Sequence, residues 1–253
     1  MVRMEGHRAH HYGALIKRWR AVARGCGWRV GRIAKASGED IFCLRSRGLK
    51  EKGGIYLSAG VHGDEPGGTE GLIGWAERNL QQLAKLPVFL LPCLNPWGLV
   101  NNQRETEDGV DLNRSFHRED LLVIRAVKEL VEGHEFAAAL MLHEDFDGQG
   151  FYLYETEGVR PFWGESLIAV AVKEIAIDPR GKIDGRKASG GLIRRRVSPK
   201  RFAKIGLPEA IWLHAKHAER SLTIETPSEF ALERRIAAQM AVIEECVGRV
   251  VAV

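Results

Sequence analysis

The sequence predicts an α/β fold: a single domain over residues 1–253, built on a mainly parallel mixed sheet flanked by helices on both faces. Three observations carry that reading. Ile55–Ala59, Val88–Leu94 and Ala137–Leu142 are uninterrupted apolar runs of strand length, the pattern of strands buried on both sides. Amphipathic helical stretches alternate with them, which is how parallel strands are connected. No internal repeat, low-complexity tract or Pro/Ser-rich linker divides the chain.

In chain order, Tyr12–Arg24 reads as an amphipathic helix, and Trp28–Ile33 with Ile41–Arg47 as a strand hairpin. After the strand Ile55–Ala59, a helical pattern runs from Thr69 to Leu83, and Val88–Leu94 then leads into Asn95-Pro96. Glu119–Val131 is helical, Ala137–Leu142 is the third apolar strand, Gly150–Glu155 alternates like a strand, and Glu165–Ile175 reads as helix. Arg180–Gly206, rich in Gly and Lys/Arg, reads as loop. Leu222–Ile224 is a short strand stopped at Pro227, and Phe230–Val250 is a long closing helix.

The composition is that of a soluble globular chain: 253 residues, 45% hydrophobic and 28% charged, with a net charge of +4. The positive charge is uneven. Residues 1–38 carry nine Lys/Arg against one Glu, residues 186–204 carry eight against no acid, and the rest of the chain is acidic. That pattern does not predict a nucleic-acid partner; Phe202 is the lone aromatic in the second basic stretch, with no stacking platform around it. The four cysteines, Cys26, Cys43, Cys93 and Cys246, are too scattered for a zinc ribbon or a disulfide scaffold and fit a reducing compartment. No stretch approaches the ~18 apolar residues of a membrane span. No secretory leader is evident at Met1–Trp28 either, so a cytoplasmic location without membrane contact is expected.

In open α/β sheets, ligands bind beyond the carboxyl ends of the strands, and polar residues follow these strands directly. The first delivers Gly60-Val61-His62-Gly63-Asp64-Glu65, where His62 and Glu65 have the spacing of two metal ligands and two glycines let the backbone bend. On spacing alone a plain polar turn is an equal reading. The third apolar run delivers His143, a candidate third ligand. Two imidazoles and a carboxylate leave one position of a tetrahedral zinc open for water. Arg104 and Arg114 flank a turn-rich loop between these segments, as groups suited to an anionic substrate or a developing oxyanion. Glu225 closes the strand Leu222–Ile224, a costly place for a carboxylate without a partner or a task.

The ordered set His62-Gly63-Asp64-Glu65, Asn95-Pro96-Trp97-Gly98, Arg104, Gly109–Phe116 (GVDLNRSF), His143 and Ile224-Glu225-Thr226-Pro227 resembles the zinc carboxypeptidases of the carboxypeptidase A-like clan. That clan also holds the succinylglutamate desuccinylase/aspartoacylase branch. The likeness covers about residues 54–230 and implies a zinc-carboxypeptidase-like catalytic domain with one zinc ion held by His62, Glu65 and His143. It further implies that Asn113 and Arg114 dock a terminal carboxylate, that Arg104 polarises the scissile carbonyl, and that Glu225 is the general base for a zinc-activated water. Asp111 is the implied partner that orients His62. The tyrosine that peptide-cleaving members carry ahead of the catalytic glutamate has no counterpart here. The tyrosines are Tyr12, Tyr56, Tyr152 and Tyr154, and His214 or His217 is a candidate replacement.

The leading expectation is a zinc metallocarboxypeptidase that cleaves an amide next to a free carboxylate in a small peptide. The N-acyl-amino-acid deacylase of the desuccinylase/aspartoacylase type is the close alternative, and a non-catalytic binding protein on the same fold is the third. The basic stretch with Arg186, Lys187, Arg194, Arg195, Arg196, Lys200, Arg201 and Lys204 falls where the family builds its specificity wall, and predicts acidic substrates by electrostatic focusing. A solvated loop is the plainer alternative.

Overall fold

Side chains alternate across a strand, so a continuous apolar run presents one apolar set to each face of a sheet. β3 (Ile55–Ala59), β4 (Val88–Leu91) and β5 (Ala138–Asp145) are such runs, buried along nearly their whole length. In the computed structural model, which describes residues 9–197, 202 and 205–252, they form the centre of an eight-stranded sheet. Its order is β1 (Arg29–Ala36), β2 (Glu39–Arg45), β4, β3, β5, β10 (Ser221–Pro227), β6 (Tyr152–Thr156) and β9 (Leu192–Arg195). β3 pairs in parallel with β4 and β5, β5 with β10, and β6 with β9. The pairings β1–β2, β2–β4 and β6–β10 are antiparallel. The sheet is thus mixed and mainly parallel, as the apolar runs predict.

One face carries Ile55, Leu57, Leu90, Leu140, Leu142 and Ile224 into a core with α1 (Tyr12–Cys26), α2 (Pro66–Arg78), α6 (Gly164–Ala171) and α8 (Leu232–Val251). The other carries Tyr56, Phe89, Leu91, Ala139 and Met141 against α5 (Leu122–Val131) and α7 (Glu209–Lys216). Each fully buried aliphatic or aromatic side chain contributes about 1.5–3 kcal/mol, so both faces must be covered. A short α3 (Leu80–Leu83) follows α2.

The structure departs from the sequence reading at several points, among them the helix expected over Thr69–Leu83, which is divided into α2 and α3. The strand expected over Val88–Leu94 stops at Leu91 because Asn95 caps a further helix, α4 (Pro96–Asn101). The Asn95 Oδ1 accepts the Gly98 N–H at 2.9 Å, with Pro96 at the first helical position. The stretch read as loop holds β7 (Lys182–Ile183), β8 (Arg186–Lys187) and β9, and β9 adds an edge to the main sheet with only Leu192 and Ile193 as its apolar signal. Helix α7 carries no sequence expectation. Lys200, Arg201 and Lys204 lie outside the described residues. Among those described, no helix is long and apolar enough to cross a membrane.

Candidate active site

β3 ends in a turn whose shape depends on two glycines. Gly60 has φ of +61°, and a Cβ there would lie 2.9 Å from both Cys93 Sγ and Thr69 Cγ2. At Gly63 a Cβ would fall 1.9 Å from the carbonyl carbon of Gly98, inside the backbone of α4. The bare backbone packs there, and the Gly63 N–H donates to Gln103 O at 3.0 Å. This close seat places His62 and Glu65 side by side, with Glu65 at the electropositive start of α2.

His143 arrives from β5, two strand positions beyond Met141 on the same face. Its Nδ1 lies 2.9 Å from Glu65 Oε2, while the His62 Nδ1 lies 2.5 Å from Glu65 Oε1. The two imidazole centroids are 5.0 Å apart. The ligand atoms of His62, Glu65 and His143 all lie within 4.8 Å of one another, and all three residues are buried. On the far side of the His62 ring, Nε2 meets Asp111 Oδ1 at 3.2 Å. Asp111 in turn accepts from Arg104 Nη2 and Nε at 3.1 and 3.3 Å, which brings Arg104 Nη1 to 3.2 Å from His62 Nδ1. Asn95 Nδ2 steadies the Arg104 loop by donating to the carbonyls of Arg104 and Glu105.

The electrostatics of this cluster suit a divalent cation. Burial raises the Glu65 carboxyl, but the two imidazoles outweigh it and hold the group well below the usual carboxylate range. Burial lowers His62, and the carboxylates of Glu65 and Asp111 overcome that and take it up to about 9. Two imidazole nitrogens turned towards one ionised, buried carboxylate form a donor set that fits zinc with a position left over.

Glu225 on β10 stands opposite His143 on β5 in the parallel register, with Tyr152 of β6 on its other flank. Removal from water pushes its carboxyl up to about 8; Glu65, Asp145 and Asp184 push the same way and His143 pulls against them. Beyond it opens a cavity of about 380 Å³ bordered by Asn113, Arg114, Glu225, Tyr154, Asp184 and Arg195, among others. Asn113 and Arg114 lie on a single 3-10 turn, Leu112–Arg114. Strand-like bonds pin that turn: Leu207 N–H to Arg114 O at 2.9 Å and Phe116 N–H to Leu207 O at 3.0 Å. Asn113 Oδ1 accepts the Glu209 N–H at 3.1 Å, which leaves its amide nitrogen as the donor towards the cavity. Glu209 is itself fully buried, accepting the Tyr56 hydroxyl at 2.5 Å, and burial raises its carboxyl.

The structure therefore brings His62, Glu65, His143, Asp111 and Arg104 into one cluster and sets Glu225, Asn113 and Arg114 around the adjoining cavity. Neither His214 nor His217 borders that cavity. His214 Nδ1 pairs with Thr156 Oγ1 at 3.2 Å, and the buried His217 Nδ1 with the His134 carbonyl at 3.1 Å. Tyr154 and Asp184 border the cavity without having been assigned from the sequence, and Arg195 had been named only within the basic stretch. Alternation along 150–155 could have placed Tyr152 and Tyr154 on one face, but the strand order that puts β6 beside β10 is not written in either segment.

Part of the chain matches a known family. Residues 52–147 match the succinylglutamate desuccinylase/aspartoacylase catalytic domain, a segment that includes His62, Glu65, Arg104, Asp111 and His143. Carboxypeptidase 2 of Trichophyton tonsurans is 29% identical over 107 residues, 38% of this chain; the chain spans 19% of the length of that relative. A Shewanella amazonensis structure provisionally named a metallopeptidase superposes with a TM-score of 0.84 at 20% identity, covering 96% of this chain and 94% of the other. A metallo-carboxypeptidase from Burkholderia cenocepacia gives 0.68 at 16% identity, covering 95% and 68%. One from Pseudomonas aeruginosa, in complex with (2-guanidinoethylmercapto)succinic acid, gives 0.62 at 18% identity, covering 94% and 68%. The resemblance to the carboxypeptidase A-like clan and its deacylase branch holds, and the fold is zinc-carboxypeptidase-like.

Proposed function

We propose that the protein is a zinc-dependent amidohydrolase of the carboxypeptidase type, cleaving an amide bond next to a free carboxylate. The observation that carries this reading is the position of Glu225. It shares a rung of the sheet with His143 and borders the cavity of Asn113 and Arg114, so a carboxylate stands between a metal-ligand cluster and a carboxylate dock.

Zinc held by His62, Glu65 and His143 would supply a Lewis acid that polarises the carbonyl and brings the pKa of water towards ~7. The remaining work belongs to side chains of the chain itself. Arg114 and the Asn113 amide nitrogen bind the substrate's free carboxylate and fix its register against Glu225. Glu225 accepts the proton of the attacking water on a carboxylate oxygen and passes it to the nitrogen of the departing amine. Arg104, held in place by Asp111, directs Nη1 to the cluster, where it meets the negative charge that develops on the carbonyl oxygen. Asp111 also accepts from the outer nitrogen of His62, which fixes the ring with Nδ1 facing inwards.

Hydrolysis of a blocked dipeptide tests this. Turnover is expected to stop on chelation and to return with added zinc. Glu225→Gln is expected to retain bound zinc and lose at least about 100-fold in kcat. Undiminished turnover in that variant would falsify the assignment of the base, and metal retention with no turnover in the parent protein would point to a binding protein instead.

A second reading has its own support. The match over residues 52–147 is to the deacylase branch, which favours an N-acyl amino acid as substrate. Both reactions release a free amino acid from the same dock. Comparing kcat/KM for a dipeptide with that for an N-acyl aspartate or glutamate separates them.

A further inference from the structure

Helix α8 brings Ile236, Met240, Val242 and Ile243 to the core, yet its interface with the sheet also buries a chain of charged and polar groups. Side chains alternate across a strand, so the residues that follow His143 and Glu225 point to the opposite face, towards α8. They are Glu144 and Thr226, which stand opposite each other on the next rung of β5 and β10. Arg235 Nη1 donates to both oxygens of Glu144 at 2.8 Å, and the Thr226 hydroxyl donates to Glu144 Oε1 at 3.0 Å. One turn further along α8, Gln239 Nε2 donates to Thr226 Oγ1 at 3.0 Å and to the His143 carbonyl at 3.1 Å. Glu144 also accepts the N–H of Gly67 in α2 at 2.8 Å, two residues after Glu65. Bare backbone lets these parts meet. A Cβ would fall 2.2 Å from Glu144 Oε1 at Gly67 and 2.8 Å from Gln239 Cβ at Gly71.

Packing alone does not account for Gln239. It is fully buried, and its Oε1 has no hydrogen-bond partner among the described residues. A buried amide with an orphan acceptor costs stability that an apolar side chain of the same volume would not. What the amide does is tie α8 to β5 and β10, beside His143 and Glu225, and through Glu144 to the start of α2, beside Glu65. We propose that Gln239, acting through Thr226, Glu144 and Arg235, is a positioning residue that fixes Glu65, His143 and Glu225 relative to one another from behind the sheet. This rests on the reading of His62, Glu65 and His143 as a zinc site with Glu225 as the base, and it deepens that reading. Each contact ends on backbone or on a neighbour of a site residue, so the chain sets where those side chains start and touches no reacting atom. A misplacement of about 1 Å in such a constellation can cost about 100-fold in rate.

Gln239→Met keeps the volume and removes the amide. Zinc affinity, read by competition with a chromophoric chelator well below the unfolding midpoint, should fall about 10–100-fold. In the zinc-saturated variant, kcat for a blocked dipeptide should fall by a similar factor with KM nearly unchanged, because none of these contacts reaches Asn113 or Arg114. Thr226→Val removes only the hydroxyl link, is gentler on the fold, and should move both readouts the same way. Glu244→Leu is the control. It removes another contact between α8 and α2, the Trp75 Nε1 donation to Glu244 at 2.7 Å, and should lower the unfolding midpoint while leaving zinc affinity and kcat intact. Unchanged zinc affinity in Gln239→Met and Thr226→Val overturns the proposal, as does an equal loss in Glu244→Leu or a change confined to KM. Zinc binding without turnover in the parent protein removes the amidohydrolase reading instead, and the affinities alone then decide the role of Gln239.

Discussion

At the scale of single residues, the site is organised by groups that hold other groups. Asp111 touches both His62 Nε2 and the Arg104 guanidinium, so one carboxylate orients both the imidazole and the arginine. Burial raises Asp111, yet His62 and Arg104 hold it well below the ordinary aspartate range. Asp111→Asn keeps the size of the side chain and removes the charge. It is expected to weaken zinc binding by about 10–100-fold, measured by competition with a chromophoric chelator, with the unfolding transition of the metal-free protein little changed. Undiminished zinc affinity would separate Asp111 from the metal ligands. His62, Glu65, His143, Asp111, Arg104, Asn113, Arg114 and Glu225 were all legible in the sequence, because each sits in a short motif at a strand end or in the loop between. Arg195 was legible only as one of eight basic residues. Which of Arg194, Arg195 and Arg196 turns inwards depends on the side of β9 that meets Tyr154, and no local spacing encodes that.

At the scale of elements, the 60–65 turn ends a strand in the proposed ligand pair His62 and Glu65, and its shape depends on how closely two backbones approach. A methyl group at Gly63 would overlap the Gly98 carbonyl carbon at 1.9 Å, and backbone atoms cannot rotate away. Gly63→Ala should therefore destabilise the protein by at least about 1–3 kcal/mol and reduce zinc occupancy. The denaturation midpoint and metal content of the purified variant check this; a variant of normal stability and normal zinc content would show that the turn is free to shift. The tight seat also explains why Asn95-Pro96-Trp97-Gly98 reads as a motif. Asn95 caps α4 and holds the Arg104 loop from the same side chain. The sequence shows Asn-Pro as a break after a strand, but the helix that follows is only six residues long and is too short to have a period of its own.

At the scale of the whole molecule, His62, Glu65 and His143 come from separate segments, so a cation held by all three would join β3, α2 and β5. A cation that binds only the folded arrangement stabilises it by mass action, about 2.7 kcal/mol at a hundredfold excess over Kd. Thermal unfolding with and without chelator should show a higher Tm for the zinc-loaded protein, rising with free zinc. A Tm independent of zinc would count against a bound cation in the cluster. The same layered arrangement explains how much of the fold was readable. Long apolar runs and long amphipathic helices name themselves by period, which is why β3, β5, α1 and α8 fall where the sequence places them. β9 and α7 gain their stability from neighbours: β9 pairs along β6, and α7 lays Ala210, Trp212 and Leu213 on the face that carries Tyr56 and Met141.

What the sequence determined by itself was the chemistry on offer and its place at the carboxyl ends of strands, since residue type and periodicity are local properties. What only the tertiary structure decided was which strands lie side by side. His143 and Glu225 are 82 positions apart and become neighbours because β5 and β10 pair in parallel. The cavity next to them gathers Arg114 from the 3-10 turn, Arg195 from β9 and Tyr154 from β6. Adjacency of that kind is set by the packing of both apolar faces at once, and no single segment contains it.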